Sequence, residues 1–505
     1  MNYPRILAAV SGLALGATGA ESADDASQAL PRSTPEEQGV SSGAILGFVD
    51  GAEQRIDALH SLMIVRHGHV VAEGWWSPYA AAEPHVLFSL SKSFTSTAVG
   101  LAISEGKLSL DDAVLRFFPG EAPSTPCKNL QSMRVRDLLR MSTGQRAEDL
   151  KDFPFSGKAD LVRTFLELPV PDVPGTHFVY NTAATYVLSA IVQKVTGQTV
   201  LDYLGPRLFE PLGMGKPRWD ASAQGISLGG YGLSVRTEDI ARFGQLYLQK
   251  GQWKGRQLIP AAWVEAATSL QTANGSDPAS DWNQGYGYQF WRCRHGFYRG
   301  DGAFGQFCFV LQEYDAVIAV TSGTGDMQAV MDLVWEKILP AFSASALPAD
   351  PESGRKLSEK LARLSLRAQP GPAASPTAQR IAGRRYAFPS NPEQIESASF
   401  EPAREGADAV FTLRIAGSDQ HIVCGQGTWA KGAATFASGE RFPVAASGAW
   451  SSDDTYSVTL YRYQTPFSTA YDLRFAGDQL IFETLDNLNL NTPPSRIRLV
   501  GTAEP

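Results

Sequence analysis

Runs of apolar residues at strand spacing occur near both ends of the first two thirds of the chain. Residues 62–65 and 70–73 are two such runs, joined by a short polar turn, and they predict a β-hairpin. Three later runs also predict strands, at residues 286–293, 304–312 and 316–322. Strands contributed from both ends of one region predict a single antiparallel sheet assembled around an insertion.

Between these strands the apolar residues recur at helical spacing. In residues 237–251, Ile240 and Phe243 lie on one helical face, and Thr237 is a candidate N-cap. A closing helix is predicted over residues 326–339, after the last strand. We therefore predict an α/β (α+β) fold with helices flanking the sheet, because a doubly wound sheet would need strands and helices to alternate regularly.

The last third of the chain has a different pattern. Residues 343–380 accumulate Ala, Pro, Ser and basic side chains, which is typical of a linker. From residue 381 to 505, apolar and polar positions alternate in short runs, as in residues 411–415, 456–460 and 471–475. This alternation predicts a C-terminal all-β domain, folded as a β-barrel or a β-sandwich.

Residues 1–20 predict a signal peptide, with the single charge of Arg5, an apolar stretch, and small residues at 18–20. We therefore expect export to the periplasm or the medium; an N-terminal extension of a cytoplasmic protein is the alternative. No apolar run reaches the length of a membrane span. The formal charge of −8 differs from the basic footprint of nucleic-acid-binding proteins, so no nucleic-acid partner is expected.

The four cysteines are too few to hold 505 residues together. Cys293 and Cys308 could form one bridge between neighbouring strands, or they could remain two buried thiols. His67 and His69 lie in the predicted hairpin turn near His60, without an obvious acidic or thiol partner, so we expect a solvated turn there. Neither a metal nor a cofactor is expected.

Ser89 and Lys92 stand at the start of a predicted helix and are three residues apart, so one turn brings hydroxyl and amine to the same side. A lysine whose pKa is lowered by burial and by the helix start could accept the serine proton. Backbone N–H groups at a helix start could also bind an oxyanion. A capping serine beside a solvated lysine would give the same pattern.

Two further segments carry candidate chemistry. Tyr180 precedes a helical run at residues 186–196, and a phenol placed there can relay a proton. A tyrosine that only packs at the start of the helix would give the same sequence pattern. The glycine-rich residues 299–306 enter an apolar strand, where a glycine lets the backbone approach another group closely; a plain hairpin turn is the alternative.

In this order the segments resemble the serine β-lactamase and penicillin-binding protein superfamily, in particular its class C-like esterases and 6-aminohexanoate-dimer hydrolases. The S-x-x-K motif runs from Ser89 to Lys92, and the Tyr-x-Asn/Ser motif from Tyr180 to Thr182. Supporting phrases also match, among them Leu110-Asp111-Asp112, Ser142-Thr143-Gly144 and Gly232-Leu233-Ser234. The resemblance covers residues 36–342 and implies a β-lactamase-like catalytic domain, an antiparallel sheet with helices and an all-α region around one active site.

The resemblance assigns six site positions: catalytic Ser89, Lys92 and Tyr180, and substrate-binding Thr182, Gly302 and Gly305. The usual Lys-Thr-Gly motif is not present. With Gly305 aligned to the glycine-rich strand entry, Arg299 takes the basic position and Gly302 approaches the oxyanion hole. Loss of Lys-Thr-Gly argues against recognition of a β-lactam carboxylate.

We therefore expect a metal-independent serine hydrolase that cleaves an ester or amide bond in a small molecule or short peptide, through an acyl-enzyme on Ser89. D-peptidase or β-lactamase activity, and a penicillin-binding sensor without turnover, are the alternatives. Four tryptophans could line an apolar acyl pocket, although core packing explains most of them as well: Trp75, Trp76, Trp282 and Trp291. The oligomeric state is left open.

A competing nucleophile is Ser227, because residues 225–229 spell the G-x-S-x-G pattern of α/β-hydrolases. That elbow needs a hydrophobic strand before the serine and a helix after it. Neither flank has the required pattern, so Ser89 is the preferred nucleophile.

Overall fold

The computed structural model describes residues 29–150, 153–155, 157–405, 407–436, 439–490 and 494–504, and the predicted signal peptide lies outside them. The α-helices in chain order are α1 (Ser42–Arg55), α2 (Ser91–Ser104), α3 (Lys128–Ser132), α4 (Val135–Leu139), α5 (Ala147–Leu150), α6 (Leu161–Glu167), α7 (Thr182–Thr196), α8 (Val200–Leu204), α9 (Glu210–Leu212), α10 (Thr237–Leu248), α11 (Ala261–Thr268), α12 (Met327–Leu333), α13 (Pro351–Leu361) and α14 (Ala378–Ile381).

The strands up to the C-terminal region are β1 (Leu59–Arg66), β2 (His69–Trp75), β3 (His85–Val86), β4 (Arg218–Trp219), β5 (Leu233–Val235), β6 (Gln252–Trp253), β7 (Arg256–Gln257), β8 (Trp291–Arg292), β9 (Tyr298–Gly302), β10 (Gln306–Leu311) and β11 (Ala316–Ser322). The C-terminal strands are β12 (Arg385–Ala387), β13 (Ile395–Glu401), β14 (Ala409–Ile415), β15 (Ser418–Cys424), β16 (Ala430–Thr435), β17 (Arg441–Trp450), β18 (Thr455–Tyr461), β19 (Ser468–Ala476), β20 (Gln479–Asp486) and β21 (Arg496–Ala503).

The central sheet is antiparallel and has the order β2-β1-β11-β10-β9-β8. β1 and β2 form the predicted hairpin, and β1 also pairs with β11, so that Leu62 lies opposite Val320. The predicted assembly of one sheet from both ends of the region is confirmed. One predicted strand and one observed strand disagree: residues 286–293 form a strand only at Trp291–Arg292, and β9 was not predicted.

Alternate residues of the central strands enter two separate cores. Met63 of β1 and Ala319 of β11 face a core shared with α2, α7 and α10. Leu62 and Ile318 face the opposite core, shared with α1, α12 and α13. Because helices cover both faces, the strands show continuous apolar runs instead of the alternation of a half-exposed sheet.

Helix α2 passes through the centre of the catalytic region, and every residue from Ser91 to Ala102 is buried. Its hydroxyl groups donate to backbone carbonyls of neighbouring segments: Ser93 to Gln289, at 2.8 Å, and Ser96 to Tyr288, at 2.7 Å. Buried hydroxyl groups need such partners, and here the partners also fix the helix against the loop before β8.

The N-cap of α10 lies one residue before the predicted position. Arg236 is the N-cap, and its backbone N–H donates to Asp239 Oδ2 at 3.0 Å. The Thr237 hydroxyl donates instead to Ser61 Oγ of β1, at 2.8 Å. Thr237 therefore joins the helix to the sheet and does not cap the helix.

The first part of the predicted linker packs on the catalytic region. Helix α13 lies against α1, with Lys360 Nζ 2.7 Å from Glu53 Oε2 and Leu357 buried. The backbone N–H of Ser77 donates to the Leu364 carbonyl oxygen at 3.0 Å. The boundaries at residues 342 and 380 remain predictions.

The predicted C-terminal all-β domain is confirmed. Its strands form one antiparallel sheet with the order β15-β14-β13-β12-β21-β20-β19-β18-β17-β16. The two ends of the sheet meet: β15 contacts β16, and Gly425, directly after β15, donates from its N–H to the Ala446 carbonyl of β17 at 3.1 Å. The sheet is therefore closed on itself, and residues such as Leu473 and Phe482 fill its interior.

All four cysteines are free thiols. Strand β9 separates Cys293, which follows β8, from Cys308 in β10, so the disulfide alternative is wrong. Within the part of the chain that the structure describes, we find no helix with the length and apolar character needed to cross a membrane.

Candidate active site

The predicted nucleophile lies in a short 3-10 turn, Phe88–Leu90, that leads directly into α2. Ser89 is half-buried, so its side chain is partly accessible. Phe88 has φ +48°, a left-handed conformation that is uncommon for a residue with a bulky side chain. The turn places the Ser89 hydroxyl one helical turn from Lys92.

Lys92 is buried, and its Nζ has three oxygen neighbours: Ser89 Oγ at 3.0 Å, Thr182 Oγ1 at 3.2 Å and the Gly230 carbonyl at 2.7 Å. Burial lowers the pKa of Lys92 to about 7, although the nearby charge of Asp301 acts to raise it. A neutral amine has two N–H donors and one lone pair. Thr182 and Gly230 can take the two donors, which leaves the lone pair for the Ser89 proton.

Tyr180 lies beside this pair, with Lys92 Nζ 4.9 Å from the centre of its ring. Burial raises the pKa of the Tyr180 phenol and Asp301 raises it further, while a hydrogen-bonding interaction with Ser89 acts to lower it. The phenol is therefore protonated at neutral pH. The Trp291 ring stacks on the Tyr180 ring, at 5.5 Å between ring centres, and so restricts the position of the tyrosine.

The residues that follow Tyr180 have separate roles. Asn181 is the N-cap of α7: its side-chain oxygen accepts from Ala184 N at 3.0 Å, and its amide donates to Gln145 at 2.8 Å. The Asn181 side chain is therefore engaged in hydrogen bonds that stabilise the fold. Thr182, one residue later, presents its hydroxyl to Lys92, as the predicted register of the motif requires.

The end of β9 almost touches the nucleophile turn at Gly302. A Cβ atom built on Gly302 would lie 2.0 Å from the Leu87 carbonyl oxygen and 3.1 Å from Ser89 N, so a glycine is required there. The next residue, Ala303, lies in the β9–β10 turn, and among the described residues no backbone carbonyl accepts from its N–H. Ser89 N, in the first turn of its helix, also has no intrahelical acceptor.

Gly305 and Arg299 are not placed against Ser89. A Cβ atom on Gly305, whose φ is +87°, would meet Ser322 Oγ at 2.1 Å, so this glycine serves the turn. Arg299 is fully buried, donates to Asp301 Oδ2 at 2.8 Å, and lies 4.6 Å from the centre of the Trp282 ring. It is therefore not the free basic group that the alignment on Gly305 implied.

The G-x-S-x-G segment does not form a nucleophile elbow. Ser227 is buried and pairs through an isolated bridge with Ala221, and β5 rather than a helix follows it. The segment still serves the site, because the Gly229 carbonyl accepts from Thr95 of α2 and the Gly230 carbonyl from Lys92.

Two of the four tryptophans lie near the site. Trp291 contacts Tyr180, and Trp282 packs edge-on against Trp291 at 5.3 Å between ring centres. Trp76 is buried in the opposite core, and Trp75 packs against the first core from the edge strand β2. An apolar acyl surface is therefore limited to Trp291 and Trp282.

The hairpin turn is exposed at His67, as expected, whereas His60 lies in the interior of the fold. His60 is buried, with its Nδ1 3.1 Å from His85 Nε2, and burial lowers the pKa of both rings. His67 lies in the turn and contacts Gln38, at 3.2 Å. Among the described residues, no three His, Cys, Asp or Glu side chains cluster as metal ligands would.

Sequence reasoning missed two members of the site. The Gly230 carbonyl carries no signal of its own, because any residue can supply a carbonyl. Asp301 lies within the glycine-rich segment, but the family alignment assigned the charged position of that segment to Arg299. Its effect on Lys92 and Tyr180 depends on tertiary proximity.

The catalytic region is also similar to known proteins. Residues 37–341 match the family model described as Beta-lactamase, which is more than half of the chain. The chain therefore belongs to the Beta-lactamase family, and it is a serine hydrolase of that family.

Two relatives show how far the similarity extends. The 6-aminohexanoate-dimer hydrolase of Paenarthrobacter ureafaciens is 26% identical over 316 residues, covering 58% of this chain and 80% of the relative. Penicillin-binding protein 4 of Amycolatopsis lactamdurans is 24% identical over 354 residues, covering 62% and 88%. A solved structure from Bacteroides dorei DSM 17855, at 16% identity, covers 59% of this chain and 99% of its own with a TM-score of 0.50, which shows the fold.

Proposed function

We propose that this protein hydrolyses ester or amide bonds of small molecules through an acyl-enzyme on Ser89. The observation that carries the proposal is the Lys92 amine, buried, 3.0 Å from Ser89 Oγ, with a pKa lowered to about 7. A base with a pKa near the working pH is present in its neutral form and still takes a proton effectively.

Acylation begins when the Ser89 O–H proton moves to the lone pair of Lys92 Nζ. The serine oxygen then attacks the substrate carbonyl carbon, and the negative charge develops on the carbonyl oxygen. The N–H groups of Ser89 and Ala303 are the donors for that oxygen, since β9 meets the nucleophile turn at Gly302. Preorganised donors of this kind contribute the largest single part of catalysis in acyl transfer.

Collapse of the tetrahedral intermediate breaks the bond to the leaving group, which takes the Tyr180 phenol proton. Lys92 returns the serine proton to the phenolate, so the relay is restored. In the second half a water molecule gives a proton to Lys92 and attacks the acyl carbon. Ser89 recovers its proton as the acid leaves. The raised pKa of Tyr180 supports this division of roles between Lys92 and Tyr180, because a protonated phenol can donate its proton to the leaving group.

The substrate class follows from the surroundings of the site. Gly300, which lies two residues before Gly302 and faces α2, has no side chain, and Arg299 is paired with Asp301. Strand β9 thus offers no free cation to a substrate carboxylate. This supports simple esters and linear amides over β-lactams and D-alanyl peptides, and the 26% identical relative is named a 6-aminohexanoate-dimer hydrolase.

The test compares Ser89→Ala with Ser227→Ala, the serine of the competing motif. We expect Ser89→Ala to lower hydrolysis of p-nitrophenyl acetate by about 10⁴-fold or more and to abolish labelling by a fluorophosphonate probe, as loss of the nucleophile does in other serine hydrolases. Ser227→Ala should keep the rate within about twofold. Mass spectrometry locates the labelled serine.

Near-native hydrolysis by Ser89→Ala would overturn the assignment. Labelling of Ser89 without ester or amide turnover would identify a sensor instead of an enzyme. A screen of p-nitrophenyl esters, linear amides, D-amino-acid peptides and nitrocefin sorts the substrate classes, and preference for nitrocefin would contradict the substrate proposal.

A further inference from the structure

A turn of the C-terminal domain reaches the catalytic region beside the nucleophile. This docking loop, residues 462–467, joins β18 to β19. Its Gln464 carbonyl accepts from Val86 N at 3.0 Å, and its Thr465 carbonyl accepts from the Tyr79 hydroxyl at 2.8 Å. Val86 belongs to β3, an edge strand of the small sheet β3-β5-β4, and lies three residues before Ser89.

Side chains fix the docking loop further. The Gln464 side chain bridges two catalytic-region residues: its amide donates to Glu83 Oε2, and its oxygen accepts from Arg218 Nη2, both at 2.8 Å. Arg462 N donates to the Phe467 carbonyl at 3.0 Å, which closes the turn. The Arg462 guanidinium lies 4.9 Å from the centre of the Phe467 ring. Both the place and the shape of the loop are therefore defined.

Phe467 completes a cluster of three aromatic rings at the site. Its ring centre lies 6.0 Å from that of Phe88 and 5.4 Å from that of Phe304, and Phe88 and Phe304 are 5.3 Å apart. All three pairs are edge-to-face, the arrangement that aromatic rings favour. The nucleophile turn, the β9–β10 turn and the docking loop are far apart in the sequence, and they meet in this cluster.

The two partners of Phe467 flank the proposed oxyanion donors. Phe88 directly precedes Ser89 and has φ +48°, while Phe304 directly follows Ala303 and has φ +68°. Bulky residues rarely take such conformations, and these persist only where the surroundings hold them. Both turns pack against the same ring cluster, and this cluster is therefore the surrounding structure that can hold the two left-handed conformations.

We infer that Phe467 is a positioning residue: the C-terminal domain holds the two turns that supply the oxyanion donors by packing Phe467 against Phe88 and Phe304. The inference rests on the proposed function, because it concerns the oxyanion site of that reaction. It gives the appended domain a part in catalysis without contact with the reacting atoms.

The test compares Phe467→Ala with Phe436→Ala in the full chain. Phe436 is the matched control, because its ring also contacts Arg462, at 5.5 Å, but belongs to the domain's own core contacts. For Phe467→Ala we expect kcat for p-nitrophenyl acetate to fall about tenfold with KM within about twofold. Loss of a whole donor costs roughly 10²–10³-fold, and here both donors are only loosened.

Three further readouts separate positioning from general damage. Phosphonylation of Ser89 should slow in parallel with kcat, and amide exchange should increase in peptides covering residues 86–90 and 302–305. Phe467→Leu, which keeps an apolar side chain of similar reach, should restore kcat to within about threefold of wild type. Phe436→Ala should change none of these.

Unchanged kcat and exchange in Phe467→Ala would overturn the inference, even if the melting temperature falls. If Phe467→Ala instead hydrolyses long-chain acyl esters faster while its rate on p-nitrophenyl acetate is unchanged, Phe467 limits the size of the substrate. That result would also overturn the inference. Inert wild-type protein would contradict the proposed function instead, and the exchange comparison would still decide whether Phe467 holds the two turns.

Discussion

The catalytic region and the C-terminal sheet differ in the kind of side chain they bury. Among the described residues, the buried charged side chains all lie in the catalytic region: Glu36, Arg66, Lys92, Asp137, Asp220, Asp239, Arg242, Asp281, Arg299 and Asp301. The C-terminal sheet buries apolar side chains and neutral polar groups such as Ser447 and Thr484. A buried charge is costly unless it is paired, and Lys92, the base of the proposed reaction, has hydrogen-bond partners but no ion pair among the described residues.

The strongest test of this difference is Lys92→Met, which replaces the base with an apolar side chain of similar length. We expect kcat/KM for p-nitrophenyl acetate to fall by about 10³-fold, because general-base catalysis contributes roughly 10²–10⁴-fold. Steady-state kinetics of the purified variant measures it. Activity within tenfold of wild type would mean that Lys92 is not the base.

Lys92→Met also has a pH signature in stability. The folded pKa is about 7 and the ordinary value is 10.5, so between these values the unfolded chain binds a proton that the folded chain does not. The wild type should therefore gain stability relative to the variant as pH rises from 7 to 10.5, by up to about 1.4 kcal/mol per pH unit. Denaturant unfolding at pH 7.5 and 9.5 measures this, and an opposite slope would exclude the lowered pKa.

Asp301→Asn comes next in expected effect. Removing the carboxylate leaves Arg299 buried without its anionic partner, and breaking a buried pair costs about 3–5 kcal/mol of unfolding free energy. The charge of Asp301 also raises the pKa of Lys92, so its loss should lower that pKa. The acid limb of the kcat/KM profile, near pH 7 in the wild type, should then move to lower pH. A move to higher pH would contradict the electrostatic role.

Leu473→Ala probes the other region. Leu473 is fully buried in the C-terminal sheet, so truncation should lower the unfolding free energy by about 2–5 kcal/mol. Below the melting transition kcat/KM should stay within about twofold, because the docking loop keeps its contacts. Thermal unfolding and steady-state kinetics on the same sample test both statements; a large loss of kcat in folded protein would break the contrast between the regions.

The smallest effect is expected for Arg414→Ala on the outside of the C-terminal sheet. Arg414 donates to Glu396 at 2.9 Å and to Asp419 at 3.1 Å, geometry comparable to that of the Arg299–Asp301 pair. Because these groups are exposed to solvent, thermal and denaturant unfolding of the variant should match the wild type within experimental error. A clear loss of stability in both measurements would show that burial is not what separates the two pairs.

Much of the fold was predictable because local pattern and final burial agree. β11 has the predicted bounds, and the hairpin of β1 and β2 was found from its two apolar runs. β9 escaped prediction because Arg299, Gly300, Asp301 and Gly302 form no apolar run. It is a strand because β8 and β10 flank it, and its glycines let the backbone approach α2 and Ser89.

The candidate site was predictable in part for a similar reason. Ser89 and Lys92 lie within one helical turn, so their spacing alone predicts their proximity. Tyr180 was already a candidate from its place before a helical run, and the family resemblance selected it together with Thr182; the structure places both beside Lys92. A glycine-rich segment does not reveal which of its glycines faces the nucleophile: Gly302 does, whereas Gly305 packs against Ser322.

By itself the sequence determined most strands of the central sheet, though not β9, the all-β character of the C-terminal region, and the nearness of one hydroxyl to one amine, all of which depend on short-range spacing. Tertiary structure alone decided that Gly230 receives the amine, that Arg299 is neutralised by Asp301, and that Phe467 reaches the site across the interface between the two regions. These contacts join residues as much as 379 positions apart, and they form only when the chain excludes water from a shared interior, which no local pattern records.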